Sequence, residues 1–250
     1  MKNFFSQTQF IGKDIIYMPT CHSTNDIAAD LYKKNQLNVG TVVMTGHQMS
    51  GRGQRGNSWE AAPGKNITCS IVFSPSFLEL TENFYLNIFS SLGIVDYLSK
   101  LDENFKIKWP NDIFFKNRKI CGLLVENTIK GQAIASSILG IGLNVNQVAF
   151  ETPDAISLAN IFNHDFHIDE VLGGICEFIE KRFMQLESYQ FDELKKDYLK
   201  RMYWLQEKHT FYANDYFEGS IIGISPSGKL QIETIQGIRE FAFKEVKFIS

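Results

Sequence analysis

Gly46-His-Gln-Met-Ser-Gly51-Arg52-Gly53-Gln54-Arg55-Gly56-Asn-Ser-Trp59 is the stretch from which the fold can be worked outward. Before it, Thr41 to Thr45 is an apolar, β-branched run that reads as a buried strand. After it, Ile67 to Phe73 reads as another. Between Met49 and Trp59 there is no aliphatic anchor, so the loop cannot join a core. Its glycines permit close backbone approach to a ligand. Arg52 and Arg55 supply planar forks of donors suited to carboxylate and phosphate. The glycine spacing is neither that of a P-loop nor that of the dinucleotide fingerprint. A loop folding over an anionic ligand and a solvated hairpin connection are both open from this stretch alone.

A second stretch decides between them. Lys106-Ile-Lys108-Trp109-Pro110-Asn111-Asp112-Ile113 is followed by Lys119-Ile-Cys121-Gly122-Leu-Leu124. Taken together, the two stretches resemble the biotin–protein ligase family. There a Gly-Arg-Gly-x-x-Gly loop and a Lys-Trp-Pro-Asn-Asp segment, with a lysine seven residues past the aspartate, frame one site. The likeness runs from Tyr17 to Asn146 in order and spacing, and more loosely to the C-terminus. It implies an α+β fold: a mixed, largely antiparallel sheet flanked by helices, as in class II synthetases, with a small SH3-like β-barrel behind it.

Composition fits one large unit and one small one. The chain has 250 residues, 44% of them hydrophobic, enough for a full core. A net charge of −3 offers no basic field for nucleic acid. The polar N-terminus is no signal peptide and no apolar run reaches the ~20 residues of a membrane span, so a cytoplasmic protein without membrane contact is expected. Cys21, Cys69, Cys121 and Cys176 are scattered, and Cys69 and Cys121 sit in strand-like runs as reduced core residues. His164 and His167 lack further ligands, so no metal site is expected there.

In chain order, Asp14–Met18 reads as a strand and Asp26–Asn35 as a helix capped from Ser23 or Thr24. Phe84–Leu101 is a core helix. Pro110 lacks an N–H and breaks the strand begun at Lys106, presenting Asn111 and Asp112 at the break. Ile113–Ile120 turns around Lys116-Asn-Arg118. Ala133–Val145 is a long strand whose Gly140 and Gly142 suggest close backbone approach. Helices follow at 156–162, 169–186 and 191–202. From Trp204 short strands and turns take over, dividing the chain into a catalytic unit over 1–203 and a small β unit over 204–250.

The resemblance assigns the site. Ser23, Thr24 and Asn25 would meet the ureido ring of biotin, and Gln48 can both give and accept hydrogen bonds there. Gly51, Arg52, Gly53, Gln54, Lys119 and Gly122 complete the biotin side; Arg55, Trp59, Asn111 and Asn144 form the nucleotide side. Trp59 could stack on adenine or anchor the lid. The implied reaction is attack of the biotin carboxylate on the α-phosphate of ATP, then transfer of biotin to a lysine of a biotin carboxyl carrier domain. Two anions must meet, so Arg52, Lys119 and Arg55 are expected to supply charge, with Lys108 behind them. Asp112 would orient the acceptor amine or help position Mg2+, which phosphate oxygens and water would otherwise hold. Gln54 stands where many relatives carry arginine. Ordering ten loop residues costs about 10–20 kcal/mol of backbone entropy at ~1–2 each, so the loop should order on ligand binding.

Two rival functions follow from the same fold. A lipoate ligase or octanoyltransferase shares it, but the two motifs point to biotin. A biotin-responsive repressor would need a helix-turn-helix unit, and about 13 residues precede the first expected strand, so a monofunctional ligase acting as monomer or homodimer is expected.

Overall fold

The computed structural model describes residues 7–53 and 58–249. β1 (Ile15–Cys21) leads into α1 (Thr24–Lys33), then β2 (Val42–Gln48) and β3 (Ile67–Phe73). α2 (Tyr85–Leu98) precedes β4 (Phe105–Lys108), β5 (Asp112–Phe115), β6 (Arg118–Lys130) and β7 (Ala133–Leu143). α3 (Leu158–Phe162), α4 (Ile168–Glu187) and α5 (Phe191–Lys200) come next. β8 (Lys208–Ala213), β9 (Asp215–Ile224), β10 (Leu230–Thr234), β11 (Gly237–Phe241) and β12 (Lys247–Ile249) end the chain.

The first seven strands form one sheet in the order β1-β2-β3-β7-β6-β5-β4. Only β1 and β2 are parallel, as α1 carries the chain between them; the other pairs are antiparallel. The expected mixed sheet flanked by helices is therefore present.

Alternation along the central strands sets the two faces of the sheet. Odd residues of β3, β6 and β7 (Cys69, Ile71, Leu123, Ile141) enter the large core against α2 and α4. Even residues face α1, where Val72 and Ile138 pack with Ala28 and Leu37. α1 is too short to cover this second face. Away from it the even positions are Thr68, Ser70, Gly122, Gly140 and Gly142, small or polar residues that with Leu124 floor a trough. α2 is buried nearly all round, and Gly93 brings it close to the α4 backbone at Ile179.

The remaining strands form a second antiparallel sheet, β11-β10-β9-β8-β12, consistent with the expected SH3-like unit. β12 was not foreseen: three residues at the chain end carry too little pattern to read. This sheet seats on the Trp109-Pro110 break. The Trp109 indole N–H donates to Gly228 O at 2.9 Å, and Phe243 meets the Trp109 ring edge-on at 6.3 Å. The segment before it shields the edge of the first sheet: Ile107 N–H donates to Arg201 O, and Tyr203 N–H to Ile107 O. No helix of the described residues is long and apolar enough to cross a membrane.

Candidate active site

The trough is a cleft walled by the start of α1, the end of β2 and the segment around Trp59. Its floor is the even face of β3, β7 and β6. Gly122 and Gly142 are cross-strand partners on that floor. A Cβ on Gly142 would lie 2.4 Å from the Trp59 ring, and one on Gly140 would lie 2.5 Å from Asn25 Oδ1. The close approach expected of these glycines is thus to Trp59 and to Asn25. The Trp59 indole lies over the glycine pair, its N–H buried without a partner among the described residues.

One end of the cleft is a network of hydroxyl and amide groups that ends on a carboxylate. Ser23 caps α1, its Oγ accepting from Asp26 N–H at 3.4 Å. The cap turns Thr24 and Asn25 inward, where they are almost fully buried. Thr24 N–H donates to Gln48 Oε1 at 2.9 Å. Ser70 Oγ lies 2.7 Å from Thr24 Oγ1 and 2.6 Å from Asn25 Oδ1, so its single proton serves one acceptor at a time. Asn25 Nδ2 donates to Glu126 Oε2 at 2.7 Å. Leaving any buried member unpaired would cost about 1–3 kcal/mol, which is why the set is satisfied throughout.

The other end carries charge. Lys119 Nζ pairs with Asp112 at 2.7 Å, each side chain about a third exposed. Lys119 also lies 5.5 Å from the Trp59 ring centroid. Its backbone is fixed on the outer side by Ala155: Lys119 N–H donates to Asp154 O and Ile156 N–H to Lys119 O. Arg52 lies back toward the first end, paired with Asp26 at 2.5 Å and 3.6 Å from the Glu126 oxygen that Asn25 meets. Both of its pairs are half exposed, a setting in which an ion pair contributes about 0–1 kcal/mol. Asn111 Nδ2 donates to Leu123 O at the cleft wall. Phe243, from the turn between β11 and β12, closes the rim.

Several expectations change here. Asp112 is not in the strand break: it opens β5 opposite Lys108, and the interruption covers only 109–111. Lys108 faces the same side as Asp112, one strand further out, but does not line the cleft. Its ammonium lies 4.5 Å from the Phe114 ring and 5.0 Å from that of Phe248. Burial holds its pKa below the usual lysine range; Asp112 and Asp154 oppose that shift and Lys119 adds to it. Asn144 also stays outside the cleft, because its amide donates to Ile156 O and ties the end of β7 to the approach of α3. Gly51 accepts from Trp59 N–H at 2.9 Å, and Arg52 bridges to Ser58, so the loop's two stems are joined. Gly53 does not line the cleft; Gln54 and Arg55, with the expected ordering of the loop, lie outside the described residues.

Three residues that meet the site were not singled out from sequence: Ser70, Glu126 and Asp26. A period-two reading of β3 and β6 could have put Ser70 and Glu126 on the glycine face. All four cysteines are free and buried, as expected for Cys69 and Cys121. Among the described residues no group of three or more His, Cys, Asp or Glu could hold a metal ion.

Comparison with known proteins gives the family. The biotin/lipoate A/B protein ligase family model matches residues 17–144, from β1 to the end of the cleft floor. A bifunctional ligase/repressor BirA of Bacillus spizizenii is 28% identical over 253 residues, spanning 98% of this chain and 77% of its own length. A biotin–[acetyl-CoA-carboxylase] ligase of Mycobacterium tuberculosis is 28% identical over 167 residues, 65% of this chain and 60% of that protein. The structure of biotin protein ligase from Aquifex aeolicus in complex with biotin and ATP superposes with a TM-score of 0.78 at 27% identity, covering 95% of this chain and all of that one. With about half the chain matched by the family and nearly all of it superposed on a member's fold, this chain belongs to the biotin/lipoate A/B protein ligases, as a biotin–protein ligase.

Proposed function

We propose that this cleft carries out ATP-dependent activation of biotin to biotinyl-5'-AMP and transfer of the biotinyl group to a lysine of a carboxylase carrier domain. The observation that carries the reading is the split character of the cleft. A buried hydroxyl–amide pocket with Arg52 beside it lies at one end and the Lys119–Asp112 pair at the other, joined by a glycine floor. A ureido head is neutral and both donates and accepts, matching Thr24, Asn25, Gln48 and Ser70. A carboxylate tail and a phosphate are anions, matching Arg52 and Lys119.

The chemistry then follows from placement. The biotin carboxylate oxygen bonds to the α-phosphorus as the bond to pyrophosphate breaks, and the acceptor amine later displaces AMP; Lys119 and Arg52 offset the repulsion between the two anions in the first step. Each charge-assisted hydrogen bond contributes about 1.5–3 kcal/mol. Both cations begin paired to carboxylates, so ligand anions take them over from Asp112, Asp26 and Glu126. Once Lys119 turns to the adenylate, Asp112 is free to accept from the incoming lysine amine. Asp112 is the one carboxylate lining the cleft among the described residues. This donor set fits Mg2+ bound chiefly by phosphate oxygens, with Asp112 as a single protein contact; the ion would neutralise phosphate charge. We assign Trp59, over the glycine pair, to the nucleotide side. Lys108 is better read as support for Asp112 than as a substrate contact. We retain 1–203 as the catalytic unit and 204–250 as the small one, acting in the reducing cytoplasm in keeping with four free thiols.

The test is biotin-dependent exchange of labelled pyrophosphate into ATP, with lipoate and octanoate as comparison acids. Exchange with biotin alone is expected. Exchange with lipoate or octanoate but not biotin would overturn the substrate, and no exchange with any acid would overturn adenylation.

A further inference from the structure

Glu126 stands behind the head end of the cleft, where Asn25 and Arg52 both reach it. It lies on β6, on the same face as Gly122 and Leu124, opposite Ile138. One of its oxygens accepts from Asn25 Nδ2 at 2.7 Å, and the same oxygen lies 3.6 Å from the Arg52 guanidinium. Asn25 is 4% exposed and its Oδ1 is held by Ser70, so the amide is fixed at both ends. Arg52 is held from the other side by Asp26, two residues beyond Thr24 on the same helix. A chain of contacts therefore runs Gln48, Thr24, Ser70, Asn25, Glu126, Arg52.

We propose that Glu126 is a positioning residue for the biotin ligase reaction: it orients the Asn25 amide in the head pocket and holds Arg52 in reserve for an anion. The proposal rests on the functional reading above. The two contacts differ in kind. The bond to Asn25 is short and to a buried neutral donor, and any acceptor of the same shape can make it. The contact with Arg52 is longer, half exposed and purely ionic, so it depends on the charge of Glu126. An anion entering the cleft competes with Glu126 and Asp26 for Arg52, while a neutral ligand does not. Glu126 thereby ties the amide that faces the head group to the cation that meets the tail.

Glu126→Gln separates the two roles, because it keeps an acceptor for Asn25 and removes the charge that detains Arg52. The experiment is calorimetric binding of biotin and of its neutral amide to the full chain at low ionic strength. For Glu126→Gln, biotin should bind about two- to fivefold tighter, the range set by one exposed ion pair. The amide should be unchanged within about twofold, and the gain for biotin should fade by about 0.5 M salt. In an Arg52→Ala background Glu126→Gln should give no gain. Glu126→Ala should weaken both ligands, since Asn25 loses its acceptor, and Gln at this position should restore the amide. Equal changes for biotin and its amide in Glu126→Gln, or a gain that survives Arg52→Ala, would overturn the coupling. Failure of the wild type to bind either ligand would overturn the head-pocket reading, and the coupling with it.

Discussion

The two ends of the cleft are built differently. At the head end, Thr24, Asn25 and Ser70 are buried, their polar atoms paired within the protein before any ligand arrives. At the tail end, Lys119 is about a third exposed and paired to Asp112, while Arg52, beside the head pocket, is about half exposed and paired to Asp26. Buried neutral groups must be satisfied, and a pocket made of them is rigid and selective by shape. Exposed ion pairs are weak and readily exchanged, so cations held that way can be handed to an anion at little expense. A ligand with a neutral head and a charged tail meets a fixed socket first and movable charges second.

The largest expected effect tests the movable end. Lys119→Ala should lower pyrophosphate exchange by about 10²–10³-fold, the loss typical of one well-placed donor at developing charge. A fall of less than tenfold would place the charge-gathering point elsewhere. The rigid end should answer differently. Gly140→Ala sets a Cβ 2.5 Å from Asn25 Oδ1, so it should lower stability to urea by about 1–3 kcal/mol as well as weaken biotin binding. Unchanged stability would mean that the head end yields, and the contrast between the ends would fail. Thr24→Val keeps the backbone N–H bond to Gln48 but removes a hydroxyl between Ser70 and Gln48. About tenfold weaker biotin binding is expected, from ~1–1.5 kcal/mol for one lost hydrogen bond; an equal effect on ATP affinity without biotin would blur the distinction.

The smallest effects concern what lies beneath both ends. Trp109→Phe removes the donor to Gly228 O and should lower stability by about 1 kcal/mol, measured by thermal melting, with biotin affinity unchanged. Under the floor, burial pushes the Cys69 thiol up from 9.0 to about 12, and Cys121 and Cys176 are raised chiefly by the same cause. A raised thiol pKa favours the neutral form in the folded state. Its stabilising effect is complete below about pH 9, the unfolded value, and is lost as pH rises from there toward the folded values. Melting temperature should therefore hold to about pH 9 and then decline, and Ellman's reagent should find no reactive thiol at pH 8 until the chain is unfolded. Rapid labelling of the native protein would show an open core.

Much of this was legible along the chain. Ile67–Phe73 was read as a strand and is one, since six of its seven residues are apolar or β-branched and loop signals flank it. A hydroxyl cap at Ser23 or Thr24 was read ahead of the helical pattern, and the structure decides for Ser23. Gly140 and Gly142 were read as places of close approach, but not what approaches. Lys108 and Asn144 sit in motifs that point to the site, yet Phe114 and Phe248 take the first and Ile156 the second. Spacing fixes the face on which a strand residue lies; it does not say what covers that face.

By itself, the sequence determined the family, the strand–loop–strand frame, the charges of the loop and the membership of Lys119 and Asp112 in one site. All of these are written in contiguous motifs, where local spacing and residue chemistry suffice. Only the tertiary structure decided that Ser70 and Glu126 complete the Asn25 pocket, that Arg52 rests on Asp26, and that Phe243 reaches the cleft rim from the turn between β11 and β12. Asn25 and Glu126 are 101 residues apart along the chain. Their meeting depends on the register of β6 on β7 and on where α1 ends over the sheet, and those are properties of packing that no local pattern carries.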